Sequence, residues 1–142
     1  MKKLITLMMT LAFTLSCFFS ISAYAAQNNT TEPYASTYFA NYSAEIIPGN
    51  DGEIIIRYSV QAKTTMTELG ASKVVVQEKS GSTWTNKKTF NKSTTPSMVG
   101  SNRAVFSKDL SYSGTEGKEY RAVVTFYAKD SSGSDTKTYT CY

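Results

Sequence analysis

With no histidine anywhere in 142 residues, a general base in this chain would have to be a carboxylate or a lysine. The missing imidazole removes Ser-His-Asp and Cys-His catalysis, together with the commonest zinc ligand. The glutamates, from Glu32 to Glu119, fall mostly on expected turns or on outward strand positions. No two carboxylates are spaced in a way that argues for a glycosidase pair. GxSxG and phosphate-cradling glycine loops are missing as well. The expectation is a protein that is not an enzyme and that needs no cofactor. Asn50-Asp51-Gly52-Glu53 and the run Asp130 to Asp135 gather oxygen ligands of the kind calcium takes. The same residue types are the ordinary turn formers, so no metal ligand is assigned.

The chemistry that remains is recognition by aromatic rings. After residue 25 the chain carries nine Tyr, four Phe and one Trp. A β core can use Tyr38, Tyr42, Tyr58, Phe106, Tyr120 and Phe126. Phe39, Trp84, Phe90, Tyr127, Tyr139 and Tyr142 are harder to bury together. Exposed rings stack on sugars or anchor protein partners. Trp84 and Tyr127 are expected on one sheet, on strands neighbouring the third strand, with Arg121 nearby. These three form the candidate binding surface, and its partner would be an extracellular protein or a glycan. The competing reading of Trp84 is a side chain folded over the sheet edge.

The ends set the compartment. MKKLITLMMTLAFTLSCFFSISAYAA has two lysines, an apolar stretch from Leu4 to Ile21, and small residues at Ala23 and Ala25. That is the grammar of a signal peptide, residues 1–25, and it predicts a secreted, extracellular protein with no stable membrane anchor after cleavage. Thr and Ser dilute the apolar stretch, which argues against a spanning helix. A polar leader, residues 26–35, opens with AQNNTTEP, and residues 36–142 make one domain. Cleavage leaves 13 basic against 11 acidic residues, scattered along the chain, too weak a charge to suggest nucleic acid. Cys17 leaves with the signal peptide, so Cys141 stands alone and no intrachain disulfide can form. It either frays with the C-terminal end or joins two copies in a homodimer.

Positioning these residues falls to strands. Turn signals recur at short intervals, with alternating apolar residues between them. Tyr38, Ala40, Tyr42, Ala44 and Ile46 share one face of a first strand, which Pro48 and Asp51-Gly52 turn back. Ile54, Ile56, Tyr58, Val60 and Ala62 share one face of a second. TTMTELGA, 64–71, reads as a connection, with Met66 and Leu69 plugging the end of the core. Strands follow over 73–79, 83–90 and 103–111, the last two separated by a polar loop anchored by Met98. Tyr120, Ala122, Val124, Phe126 and Ala128 then line one face of another strand, DSSGSD closes a hairpin, and TKTYT is the last.

Leu110, Gly117, Tyr120, Ala122, Val124 and Ala128, with Gly133 in the next turn, resemble the later strands of a fibronectin type III module. In that pattern the tyrosine hydroxyl reaches back to the backbone of the preceding corner. The resemblance implies an all-β, seven-stranded antiparallel β-sandwich and a structural role for Tyr120. Antibody-type domains carry a disulfide cysteine where this chain has Ala122, which favours the cystine-free relative. The chain is also similar to small secreted proteins of Gram-positive bacteria. The function expected is a secreted binding module, and the alternative is a self-associating structural or adhesion protein that pairs through its last strand.

Overall fold

The computed structural model describes residues 36–142; the signal peptide and the leader read from the sequence lie outside them. The described residues form six antiparallel strands and one short 3-10 turn. They are β1 (Phe39–Pro48), β2 (Glu53–Ser80), β3 (Thr83–Asn91), β4 (Val99–Ser113), β5 (Tyr120–Lys129) and β6 (Ser134–Cys141).

Here the seven-strand expectation is corrected. The predicted second and third strands are one 28-residue strand, and 64–71, expected as a connection, is its middle. The first part of β2 pairs with β1 and with β4, Ile56 facing both Ile46 and Leu110. Its last part pairs with β3 and with β5, Val76 facing both Lys88 and Ala122. β6 extends that half by pairing with β5. A single strand therefore serves both halves of one curled sheet. Three extra residues of β2 between Gln61 and Met66, and one between Ala71 and Lys73, break the register at the bend. Such bulges curve a strand and rotate its side chains between faces. The second break accounts for the change of buried positions from odd numbers (Leu69, Ala71) back to the even Val74.

The core lies inside the curl. Ile56, Tyr58 and Val60 on one half, and Val74, Val76, Ala122, Val124 and Phe126 on the other, are at most 1% exposed. Aromatic contacts join the halves: Tyr58 meets Phe126 edge-on at 6.2 Å, and Tyr42 of β1 meets Phe126 at 5.1 Å and Tyr139 of β6 at 6.4 Å. At the bend the core is plugged by Met66, Leu69 and Met98. The Tyr58 hydroxyl donates to the Met98 carbonyl at 2.8 Å, which gives this buried polar group its partner. The Met98 segment lies so close to β2 that a Cβ on Gly70 would sit 2.2 Å from the Met98 carbonyl oxygen.

In β1 the predicted face is right from Tyr42 onward and shifted before it. A register slip between Phe39 and Asn41 turns Phe39 into the core at 5% exposure and leaves Ala40 exposed. The turn into β2 has Asp51 at φ 53° and Gly52 at φ 78°, the two left-handed residues of a type I′ hairpin.

Candidate functional site

Four groups on the half-sheet β3–β2–β5–β6 converge through register alone. β5 sets Arg121 opposite Gln77, while β3 sets Asn86 opposite Gln77 and Trp84 opposite Lys79. The neighbouring Val74 and Val76 point into the core, so alternation turns these side chains outward. Gln77 donates from Nε2 to Asn86 Oδ1 at 2.6 Å and accepts from Arg121 Nε at 2.6 Å. This polar relay aims the guanidinium at the aromatic rings. Its Cζ lies 4.6 Å from the Trp84 ring centre and 6.0 Å from that of Tyr142. Trp84 and Tyr142 meet edge to face at 5.9 Å. Cation–π contact with a ring face favours this placement of the arginine. Beside them, Lys79 Nζ is 2.6 Å from Glu119 Oε2, so that lysine is neutralised by its neighbour.

A cleft of about 440 Å³ opens next to the cluster, walled by Ile46, Pro48, Ile54, Trp84, Tyr120 and Tyr142, with Lys79, Lys118 and Glu119 at its rim. A second cleft of about 640 Å³ adjoins it between the 48–53 turn and the 115–118 corner, and the two share Pro48, Ile54, Lys118 and Tyr120. Tyr142 is 61% exposed, while Trp84 and Arg121 are half-buried.

The structure thus brings together two of the three residues named from the sequence and separates the third. Tyr127 lies on β5 opposite Gly70, six residues from Arg121, or roughly 20 Å along the strand. It belongs to a different cluster, with Lys92 Nζ 3.7 Å from its ring centre and Lys92 in turn 2.9 Å from Glu68 Oε2. Burial works to lower the Lys92 pKa, but its contacts with Glu68 and Tyr127 outweigh it and raise the value. Sequence reasoning missed Gln77 and Asn86 as the relay and did not place Tyr142 with Trp84. The signal available was parity: a last strand continued to residue 142 sets Tyr142 beside Arg121.

Tyr120 forms the floor of both clefts. Its hydroxyl accepts from the Thr115 N–H at 2.7 Å and donates to Glu78 Oε2 at 2.8 Å. Gly117 has φ 74°, a conformation that favours glycine. Gly114 is needed for a different reason: its Cβ would lie 2.7 Å from Tyr120 Cζ. Glu78 Oε1 also pairs with Lys87 at 3.1 Å. The Tyr120 hydrogen bond, followed by that of Lys87, holds the Glu78 carboxyl below the usual carboxylate range.

The other perturbed groups are engaged elsewhere in the fold. Burial raises the Tyr58 phenol, whose hydroxyl is spent on Met98. Cys141 is 4% exposed, its thiol pushed up to about 11 by burial, with Sγ 3.7 Å from the Ala122 carbonyl. It is neither frayed nor at the surface, so a disulfide between copies requires the end of β6 to come away. Asp130 caps its own turn by accepting from the Ser132 and Gly133 N–H groups at 2.7 and 3.1 Å. Asp135 accepts from the Ser36 hydroxyl at 2.7 Å. Among the described residues no three Cys, Asp or Glu side chains converge on a point where a metal could sit. No helix among the described residues is long and apolar enough to cross a membrane. No family model, no curated protein and no solved structure matches the chain.

Proposed function

We propose that this protein is a secreted, non-enzymatic binding module of the fibronectin type III-like β-sandwich kind, and that it holds an extracellular carbohydrate at the Trp84–Arg121–Tyr142 cluster. The observation that carries the reading is the relay Asn86–Gln77–Arg121, which orients a guanidinium against two aromatic rings that themselves line a cleft. Sugar rings present apolar C–H faces ringed by hydroxyls. An aromatic ring face flanked by amides and charged groups offers both complements at once. The Tyr120 corner supports the sandwich part of the reading, because its hydroxyl bonds back to the corner backbone as in that family. The non-enzymatic part draws on the ionisable side chains with displaced pKa, of which Glu78, Tyr58 and Cys141 are each tied to a structural partner.

Self-association through β6 is the weaker reading. Among the described residues that strand pairs with β5 alone and leaves its other edge open. Its Asp135 and Lys137, however, are charges of the kind that blunt an edge, and its thiol is buried. A glycan array probed with the purified protein and with Trp84→Ala tests the carbohydrate reading. The wild type is expected to be retained on a limited set of glycans and the variant, folded by circular dichroism, on none of them. Equal retention of both proteins, or of neither, contradicts it.

A further inference from the structure

We infer that the saccharide held at this cluster is an acidic one, and that Arg121 grips its carboxylate; the inference rests on the binding role proposed above. Arg121 is the one arginine of this half-sheet, and like Lys73, Lys88, Lys118 and Lys137 it has no ion pair among the described residues. Lys79, Lys87, Lys92 and Lys129 each sit within 4 Å of a carboxylate oxygen. On the other half, Arg57 is consumed by Asp109, to which it donates from Nε at 3.0 Å and from Nη2 at 2.9 Å. Arg121 spends only Nε, on the neutral Gln77. Among the described residues neither of its Nη atoms has a hydrogen-bond partner, and no carboxylate lies within ion-pair distance.

An arginine fork with both terminal nitrogens free matches a carboxylate in two parallel hydrogen bonds. Here the fork is also pre-aimed, by Gln77 on one side and by the Trp84 ring on the other. Less side-chain freedom is therefore lost when a ligand binds. The rings of Trp84 and Tyr142, which line the adjoining cleft together with Ile46, Pro48 and Ile54, supply the apolar wall for the body of the sugar.

Charge across the fold agrees. Residues 68–92 and 118–142, which form the half-sheet carrying the cluster, contain nine Lys and Arg against five Asp and Glu. Residues 36–67 and 93–117 contain four against five. The positive excess thus lies on the side where Arg121 is displayed, and it draws anionic ligands to that side. The two parallel N–H groups of the fork match the two coplanar oxygens of a carboxylate, which is why a uronate is preferred to a sulfated sugar.

Trp84 is the sole tryptophan, so tryptophan emission, excited selectively over that of the tyrosines, reports on this cluster alone. The test titrates the full chain with oligosaccharides of galacturonate, alginate and hyaluronan. The same galacturonate with its carboxyls methyl-esterified, a neutral cello-oligosaccharide and a sulfated galactan serve as comparisons. At least one uronate oligomer is expected to change Trp84 emission saturably. Esterification and Arg121→Gln are each expected to weaken that binding by about tenfold or more, the loss of a charge-assisted hydrogen bond. Arg121→Lys, which keeps the charge but not the fork, is expected to fall between. The esterified ligand tests the wild type, so the outcome does not depend on how the variants fold. Equal binding of acid and ester, or a preference for the sulfated galactan, overturns the carboxylate assignment and leaves the carbohydrate site standing. Binding of neutral sugars alone does the same, and binding of no saccharide of any class overturns both.

Discussion

Replacing Tyr120 with Phe removes one oxygen atom and isolates what the corner contributes. The ring is kept, with its contact on Gly114 and its edge-to-face neighbour Tyr112 at 5.9 Å. Two hydrogen bonds are lost, one from the Thr115 N–H and one to the Glu78 carboxylate. A hydrogen bond with a charged partner is worth about 1.5–3 kcal/mol, and a buried N–H left without an acceptor costs about 1–3 kcal/mol. The site is only partly buried, so water recovers some of both. Glu78 also keeps Lys87 at 3.1 Å. The expected net loss is about 2 kcal/mol, a fall of about 10 °C in Tm for a domain of this size. Urea unfolding followed by circular dichroism reads it directly, as a lower midpoint with an unchanged slope. A second arm uses acid. The folded pKa of Glu78 lies below its ordinary 4.5. The stability it confers is therefore complete above the unfolded value and is lost as pH falls through the folded one. Tyr120→Phe removes the largest cause of that shift, so the variant is expected to lose less stability than the wild type in this window. A midpoint change worth less than about 0.5 kcal/mol, the scatter of ordinary surface substitutions, would refute the reasoning, as would an acid sensitivity equal to that of the wild type.

Gly70→Ala is expected to cost about 3 kcal/mol or more, because its Cβ meets backbone at 2.2 Å and neither β2 nor the Met98 segment can yield without opening the bend. Gly117→Ala, in open space at φ 74°, is expected to cost only about 1–2 kcal/mol, the backbone penalty by itself; the same urea melts compare the two. Cys141, buried with its thiol pushed up to about 11, is expected to react with a thiol reagent at pH 8 only after unfolding. Native protein should accordingly run as a monomer in non-reducing electrophoresis. Rapid labelling of folded protein would show that β6 does not hold its end in place.

Much of the fold was legible where alternation is local. The inward faces Ile54 to Ala62 and Tyr120 to Ala128 follow from period-two patterning, and Met66, Leu69 and Met98 were recognisable as apolar residues stranded in polar surroundings. The middle of β2 was not legible. Met66, Leu69 and Ala71 break the alternation, which reads as a connection in a single chain of letters. They are buried because β4 flanks the bend on one side and β5 on the other, pairings more than 25 residues away in sequence. The shift at Phe39 has the same origin, since the irregular pairing of β1 with β2 decides which face that ring takes. Of the site, Trp84 and Arg121 were legible as an aromatic and a cation hard to place in the core. Their meeting was not, because it depends on the register of β3 and β5 against one strand. Tyr127 was joined to them on strand membership alone, and membership fixes the sheet but not the distance along it.

The most direct measurement is a two-dimensional NMR titration of isotope-labelled protein with a uronate oligosaccharide that binds it. The chain contains one tryptophan and therefore one indole N–H signal. That signal should move with saturation, together with the side-chain amides of Gln77 and Asn86 and the Nε–H of Arg121. Binding that leaves all four unmoved and shifts the amides of β1 and β4 would place the ligand on the opposite half of the sheet and contradict the assignment of the site.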